Sequence, residues 1–146
     1  MAGTTRLANE AWEALFRAQA TIAREFEAAD IWEDVLPNEY GVLYALSAAP
    51  DGLRIKDLID DVLLTQAGVS RLVARLEQRG LIAREDDPDD GRACRLRLTA
   101  DGAALQRRIG AEHARHVARA MTRALDREQL ETLRTLTTAL LDGSHA

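Results

Sequence analysis

Gly80 separates two hydrophobic periods, and no other feature restricts the fold of this chain as tightly. Before it, Val69, Leu72, Val73 and Leu76 recur at helical intervals and line one face. After it, Cys94, Leu96 and Leu98 alternate with Arg95 and Arg97, the pattern of a half-buried strand. Residues 81–85 and 93–99 therefore read as two short strands around an acidic turn. Gly80 is the C-terminal stop of the preceding helix and Thr65 its N-cap. Cys94, in register with Leu96 and Leu98, is expected to be a small buried residue.

The rest of the chain reads as helix. Ala8, Trp12, Leu15, Gln19, Ile22 and Phe26 form the stripe of a first helix. Pro37 and Asn38 open a second, striped by Val42, Leu43 and Leu46. Pro50 and Gly52 make a turn, followed by a short helix around Ile55, Leu58 and Ile59. Thr99 caps a long helix that carries Leu105, Ile109, Val117 and Met121. Asp126 with Gln129 starts a last one, with Leu130, Leu133, Leu136 and Leu140. The fold class is mainly α with a small β-hairpin. A small central unit cannot bury the apolar faces of the first and last two helices, so these are expected to pair with a second copy. The expected organisation is a dimerising helix in residues 1–36, a central module in 37–99 and dimerising helices in 100–146.

Composition and motifs narrow the function classes. No apolar run approaches the ~20 residues that span a bilayer, and the N-terminus lacks a basic-then-apolar signal pattern. One cysteine excludes an internal disulfide and a multi-cysteine zinc site. The expectation is a cytoplasmic protein without membrane partner or cofactor. There is no Gly-rich phosphate loop, H-E-x-x-H or G-x-S-x-G, so no catalysis is expected. The stretch REDDPDDGR, residues 84–92, is not a calcium loop: counted from Asp86, Pro88 takes the third position and Arg97 the twelfth. His113 and His116, with Glu112 beside them, have a zinc-compatible spacing, but no third ligand follows and no metal is expected. A net charge of −5 argues against coating nucleic acid by bulk charge, though not against a local basic surface.

Residues 53–99 run short helix, tight connector, helix, hairpin, the order of a winged helix-turn-helix, in which the second helix enters the DNA major groove. Gln66, Ser70, Arg71 and Arg75 lie largely off the apolar stripe of that second helix. Arg can fork onto guanine, Gln onto adenine, and Ser can reach base or phosphate. The same residues would suit an ordinary solvated helix face.

Residues 53–102 resemble the MarR family of bacterial transcription regulators. The resemblance is carried by S-R-L-V-x-R-L-E-x-x-G-L at residues 70–81, by Arg84, by Asp90-Gly91-Arg92, and by Leu98-Thr99-Ala100-Asp101-Gly102. Outside this block it is a match of helix order. It implies a homodimeric, ligand-responsive repressor on a pseudo-palindromic double-stranded DNA site. The implied DNA contacts are Thr65, Gln66, Ala67, Ser70, Arg71, Arg75, Arg84, Asp90 and Arg92. Arg92 is assigned to the minor groove. Asp90 holds Arg84 or Arg92 in place, while Glu85, Asp86, Asp87 and Asp89 are expected to point off the duplex. A small aromatic or anionic effector is implied beside the first two helices, where Trp12, Trp32, Tyr40 and Tyr44 lie, although each of these also suits a core. Leu63 stands where the family often has Gly, and Gly68 where it often has Ser or Thr, which puts base contacts near position 68 in doubt. A dimeric interaction module without DNA binding is the rival reading, and redox sensing by Cys94 or metal sensing by the histidines are variants of the regulator.

Overall fold

The computed structural model describes residues 1–62 and 66–144. Its elements are α1 (Ala2–Ala28), α2 (Pro37–Ser47), α3 (Ile55–Val62), α4 (Gln66–Gln78), β1 (Ile82–Asp87), β2 (Asp90–Leu98), α5 (Ala100–Thr122) and α6 (Arg127–Ser144). The chain divides into two compact units, residues 29–112 and residues 1–28 with 113–146. The expected mainly α class with one hairpin is what the fold shows, and the units cut through α5 at residue 112.

In the unit 29–112, α2, α3 and α4 pack on one another and on the hairpin. Leu43, Leu58, Leu76, Leu96, Ile109, Val42, Val69 and Val73 are fully enclosed. Each such side chain stabilises the fold by about 1.5–3 kcal/mol relative to exposure. Val69, Leu72, Val73 and Leu76 are therefore one buried stripe of α4, as their spacing requires.

Local chemistry fixes how α4 turns into the hairpin and the hairpin into α5. Gly80 adopts φ 73°, its amide donates to the Glu77 carbonyl, and the Leu81 amide donates to Leu76. That pair of bonds closes the last turn of α4. The Thr99 hydroxyl donates to the Gly80 carbonyl (2.6 Å) and accepts the Gly102 amide (3.1 Å), so one side chain caps α5 and ties it to the end of α4. A Cβ at residue 102 would overlap the Leu81 carbonyl oxygen, which is why only Gly fits there.

β1 and β2 pair antiparallel, from Ile82 opposite Leu98 to Asp86 opposite Cys94. Both strands run further into the acidic stretch than alternation suggested, leaving Pro88 and Asp89 as the turn. The reason is a local bond: the Asp87 carboxylate accepts the Asp89 amide at 2.8 Å. A short bridge between Leu53 and Leu96 adds the segment before α3 to the hairpin edge. Gly52 permits it: its φ is 86°, and a side chain would press on the Leu96 carbonyl oxygen at 2.9 Å.

The unit formed by residues 1–28 and 113–146 is built differently. Neither α1 nor α6 buries a single residue fully. An ion pair of Arg123 with Glu25, bidentate at 3.0 and 2.7 Å, joins α5 to α1. Asp126 and Gln129 cap α6 reciprocally, each amide donating to the other's side chain at 2.9 Å, as the sequence indicated. An open apolar groove of about 850 Å³ runs between α1 and α6, lined by Leu15, Ile22, Phe26, Met121, Leu130 and Leu133 among others. Trp12, Phe16, Leu136, Leu140 and Leu141 add further exposed apolar surface.

Candidate nucleic-acid interface

The polar side of α4 faces an open cleft. Gly68, Arg71, Ala74, Arg75 and Gln78 line it, with Asn38 from the first turn of α2 opposite, enclosing about 590 Å³. Ala67 and Arg71 are exposed, Ser70 and Gly68 half-buried. The Arg71 guanidinium bonds back to the Ala67 carbonyl at 3.3 Å. Arg75 lies 4.0 Å from the buried Glu39, which itself accepts the Leu36 amide and so caps α2. Gln66 opens α4, while Thr65 and Leu63 lie outside the described residues. The sequence pattern pointed to the α4 residues but not to Asn38, which no local period connects with that helix.

The hairpin is where cations are sorted. The Arg84 Nε donates to Glu77 at 2.9 Å, and the Arg97 Nε lies 3.0 Å from Glu85. Arg54 and Arg95 both donate to Asp87, at 2.6 and 3.2 Å. By contrast, Arg92 is exposed, and its guanidinium makes no hydrogen bond or ion pair among the described residues. Of the hairpin arginines it is the one whose charge is fully available to another molecule.

Two expectations for this region need correction, those for Asp90 and Cys94. Asp87 differs from its acidic neighbours: its carboxylate is fully enclosed. Arg54, the Asp89 amide and Arg95 hold it ionised, with its pKa far below the usual carboxylate range. Asp90 grips no arginine side chain among the described residues; it accepts the Arg92 backbone amide at 3.0 Å, while Arg84 is held by Glu77. Cys94 is exposed rather than buried. Its parity with Leu96 is right, but the core below the hairpin ends at Leu96, so nothing covers the same face two residues on. Glu85, Asp86 and Asp89 are exposed.

The four aromatics also separate. Trp32 and Tyr40 are core residues, their rings 5.6 Å apart. Burial raises the Tyr40 pKa, and its hydroxyl bonds Gln106. Tyr44, 6.3 Å from Tyr40, is exposed, and so is Trp12 on α1. His113 meets the edge of Phe26 at 5.1 Å. Burial, and then the neighbouring His116, lower its pKa. Among the described residues no three His, Cys, Asp or Glu are grouped to hold a metal, and no helix is long and apolar enough to cross a membrane.

Comparison with known proteins agrees with this geometry. Residues 33–93 match the model of the MarR family. Over 75 residues the chain is 37% identical to the transcriptional regulator HosA of Escherichia coli O111:H-, covering 49% of this chain and 55% of that one. The chain thus spans about half the length of the curated relatives it matches. Among solved structures it resembles Sco3205, a MarR family transcriptional regulator from Streptomyces coelicolor in complex with DNA. That likeness has a TM-score of 0.79 and 26% identity, over 92% of this chain and 86% of that one. It also resembles the PcaV transcriptional regulator from Streptomyces coelicolor in complex with its natural ligand. There the TM-score is 0.66 and the identity 29%, over 94% and 91% of the two chains. The matched family and the fold are those of transcriptional regulators. The helix order, the hairpin and the matched segment together identify residues 33–93 as a MarR family domain, in a chain with a winged-helix fold.

Proposed function

We propose that the chain is a cytoplasmic, homodimeric regulator of transcription that binds a pseudo-palindromic DNA site through α4 and the hairpin wing of each copy. The observation that carries this reading is the unpaired, exposed Arg92 on the wing, in the same unit as an α4 whose polar face presents Arg71 and Arg75 to an open cleft. Arg71, Ser70 and Gln66 are suited to base edges, and Arg92 to a narrow minor groove. The homodimer is supported by the uncovered apolar groove between α1 and α6. A second copy would cover it. Repression, and release by a small aromatic or anionic effector, extend the reading by analogy with the ligand-bound PcaV.

The test is fluorescence anisotropy of a labelled duplex from upstream of the chain's own gene, titrated across salt with scrambled competitor. Tight, competitor-resistant binding whose log K falls steeply with log salt is the expected result. Arg71→Ala should weaken the cognate site more than random DNA, and equal loss on both would end its base-reading role. One observation favours the rival interaction module: Arg54, Arg84, Arg95 and Arg97 are already neutralised within the chain. Absence of binding even at low salt would count against the α4 and wing assignments and favour that reading instead.

A further inference from the structure

The strand pairing is interrupted at one place. Asp86 pairs with Cys94, but the next residue, Asp87, pairs with Asp90. Gly91, Arg92 and Ala93 therefore have no partner on β1, and the irregularity throws Arg92 out of the ladder. Bulges of this kind re-aim a side chain, and their direction depends on what holds the paired residues at their base. Here the base is Asp87.

Asp87 is held more firmly than any other wing residue. Its carboxylate is fully enclosed and accepts Arg54 Nε at 2.6 Å, Arg95 Nε at 3.2 Å and the Asp89 amide at 2.8 Å. Arg54 immediately precedes α3. Arg95 also reaches the Asp51 carbonyl at 3.3 Å. The tip of the wing is thereby pinned to the segment that leads into the helix-turn-helix. An enclosed ion pair is poor evidence for stability, since apolar packing holds a fold as well; what it fixes is register and direction.

We propose that Asp87 is a positioning residue for Arg92: it anchors the neck of the bulge through Arg54 and Arg95, and so sets the direction in which Arg92 meets DNA. The proposal rests on the DNA-binding reading above. It has a sign that simple electrostatics does not share. Asp87→Asn removes a negative charge, which alone would strengthen DNA binding. Loss of aim should weaken it.

The experiment is a double-mutant cycle in the full-length protein, using the same duplex and salt titration. Asp87→Asn should lower cognate affinity about tenfold and flatten the salt slope as Arg92→Ala does, and in the Arg92→Ala background it should change affinity less than about twofold. Equal or tighter binding by Asp87→Asn, or an equal loss in both backgrounds, would overturn the proposal. A readout without DNA separates its failure from that of the DNA-binding reading. A nitroxide on Cys94, the one cysteine, exposed on β2 beside the bulge, reports wing mobility. Its spectrum should sharpen in Asp87→Asn at unchanged helix content, and an unchanged spectrum would refute the pin even if wild-type protein bound no DNA. Should Asp87→Asn not fold, Arg54→Gln takes its place, judged on the coupling to Arg92→Ala and on the nitroxide spectrum, since losing a positive charge weakens DNA binding by itself.

Discussion

The two compact units solve opposite problems with similar helices. Residues 29–112 close a core of their own, with eight side chains fully enclosed among α2–α5 and the hairpin. The unit of residues 1–28 and 113–146 has longer helices but no fully buried residue on α1 or α6. Its helices hold their shape through caps and ion pairs, while its apolar faces stay open. On the proposed function, a surface that reads DNA must keep its geometry unaided, whereas one that pairs with a second copy can leave its hydrophobic gain to association.

That contrast can be broken by substitution. The largest effect belongs to the closed unit: Leu76→Ala should cost about 2–5 kcal/mol in denaturant unfolding, independent of protein concentration. Gly102→Ala comes next, at about 1–3 kcal/mol, because the new methyl meets the Leu81 carbonyl. Calorimetry should show this loss, and a neutral result would mean that α5 slides freely against the hairpin. In the open unit, Leu136→Glu lies on a side chain exposed in the single chain, where it should leave the melting of residues 29–112 unchanged. Sedimentation should nevertheless show dimer affinity reduced by about tenfold or more, roughly 1.4 kcal/mol. An unaltered association state would place the partner surface elsewhere.

The smallest effect is a pH dependence. His113, against Phe26, has its pKa lowered by burial and by His116. A histidine whose folded pKa is depressed contributes fully above its ordinary value of about 6.5. That contribution is lost as pH falls from there through the lower folded value. Thermal stability measured from pH 7.5 to 5 should thus fall more steeply in wild type than in His113→Gln. Parallel curves would show that the histidine stays solvated.

Much of this protein was legible from sequence because its signals are local. Gly80 ends α4, Thr99 starts α5 and Asp126 starts α6 through bonds to residues no more than a few positions away, apart from the Thr99 hydroxyl's bond to Gly80. Periodicity likewise gave the buried stripe of α4, and the spacing of Ser70, Arg71 and Arg75 around it. Where reading failed, the deciding partner was distant. Arg54 meets Asp87 across 33 residues, so nothing near REDDPDDGR marked one carboxylate as buried and its neighbours as solvated. Alternation placed Cys94 on the face of Leu96 but could not say where the covering core ends.

The sequence by itself determined the order of helices and hairpin, the caps of α5 and α6, and the candidate reading helix, since each depends on period and on short-range hydrogen bonds. Only the tertiary structure decided which acid of the wing is an anchor, which arginine stays unpaired, and which apolar faces remain open. Those outcomes depend on enclosure, and enclosure is set by segments that meet in space after the chain has folded.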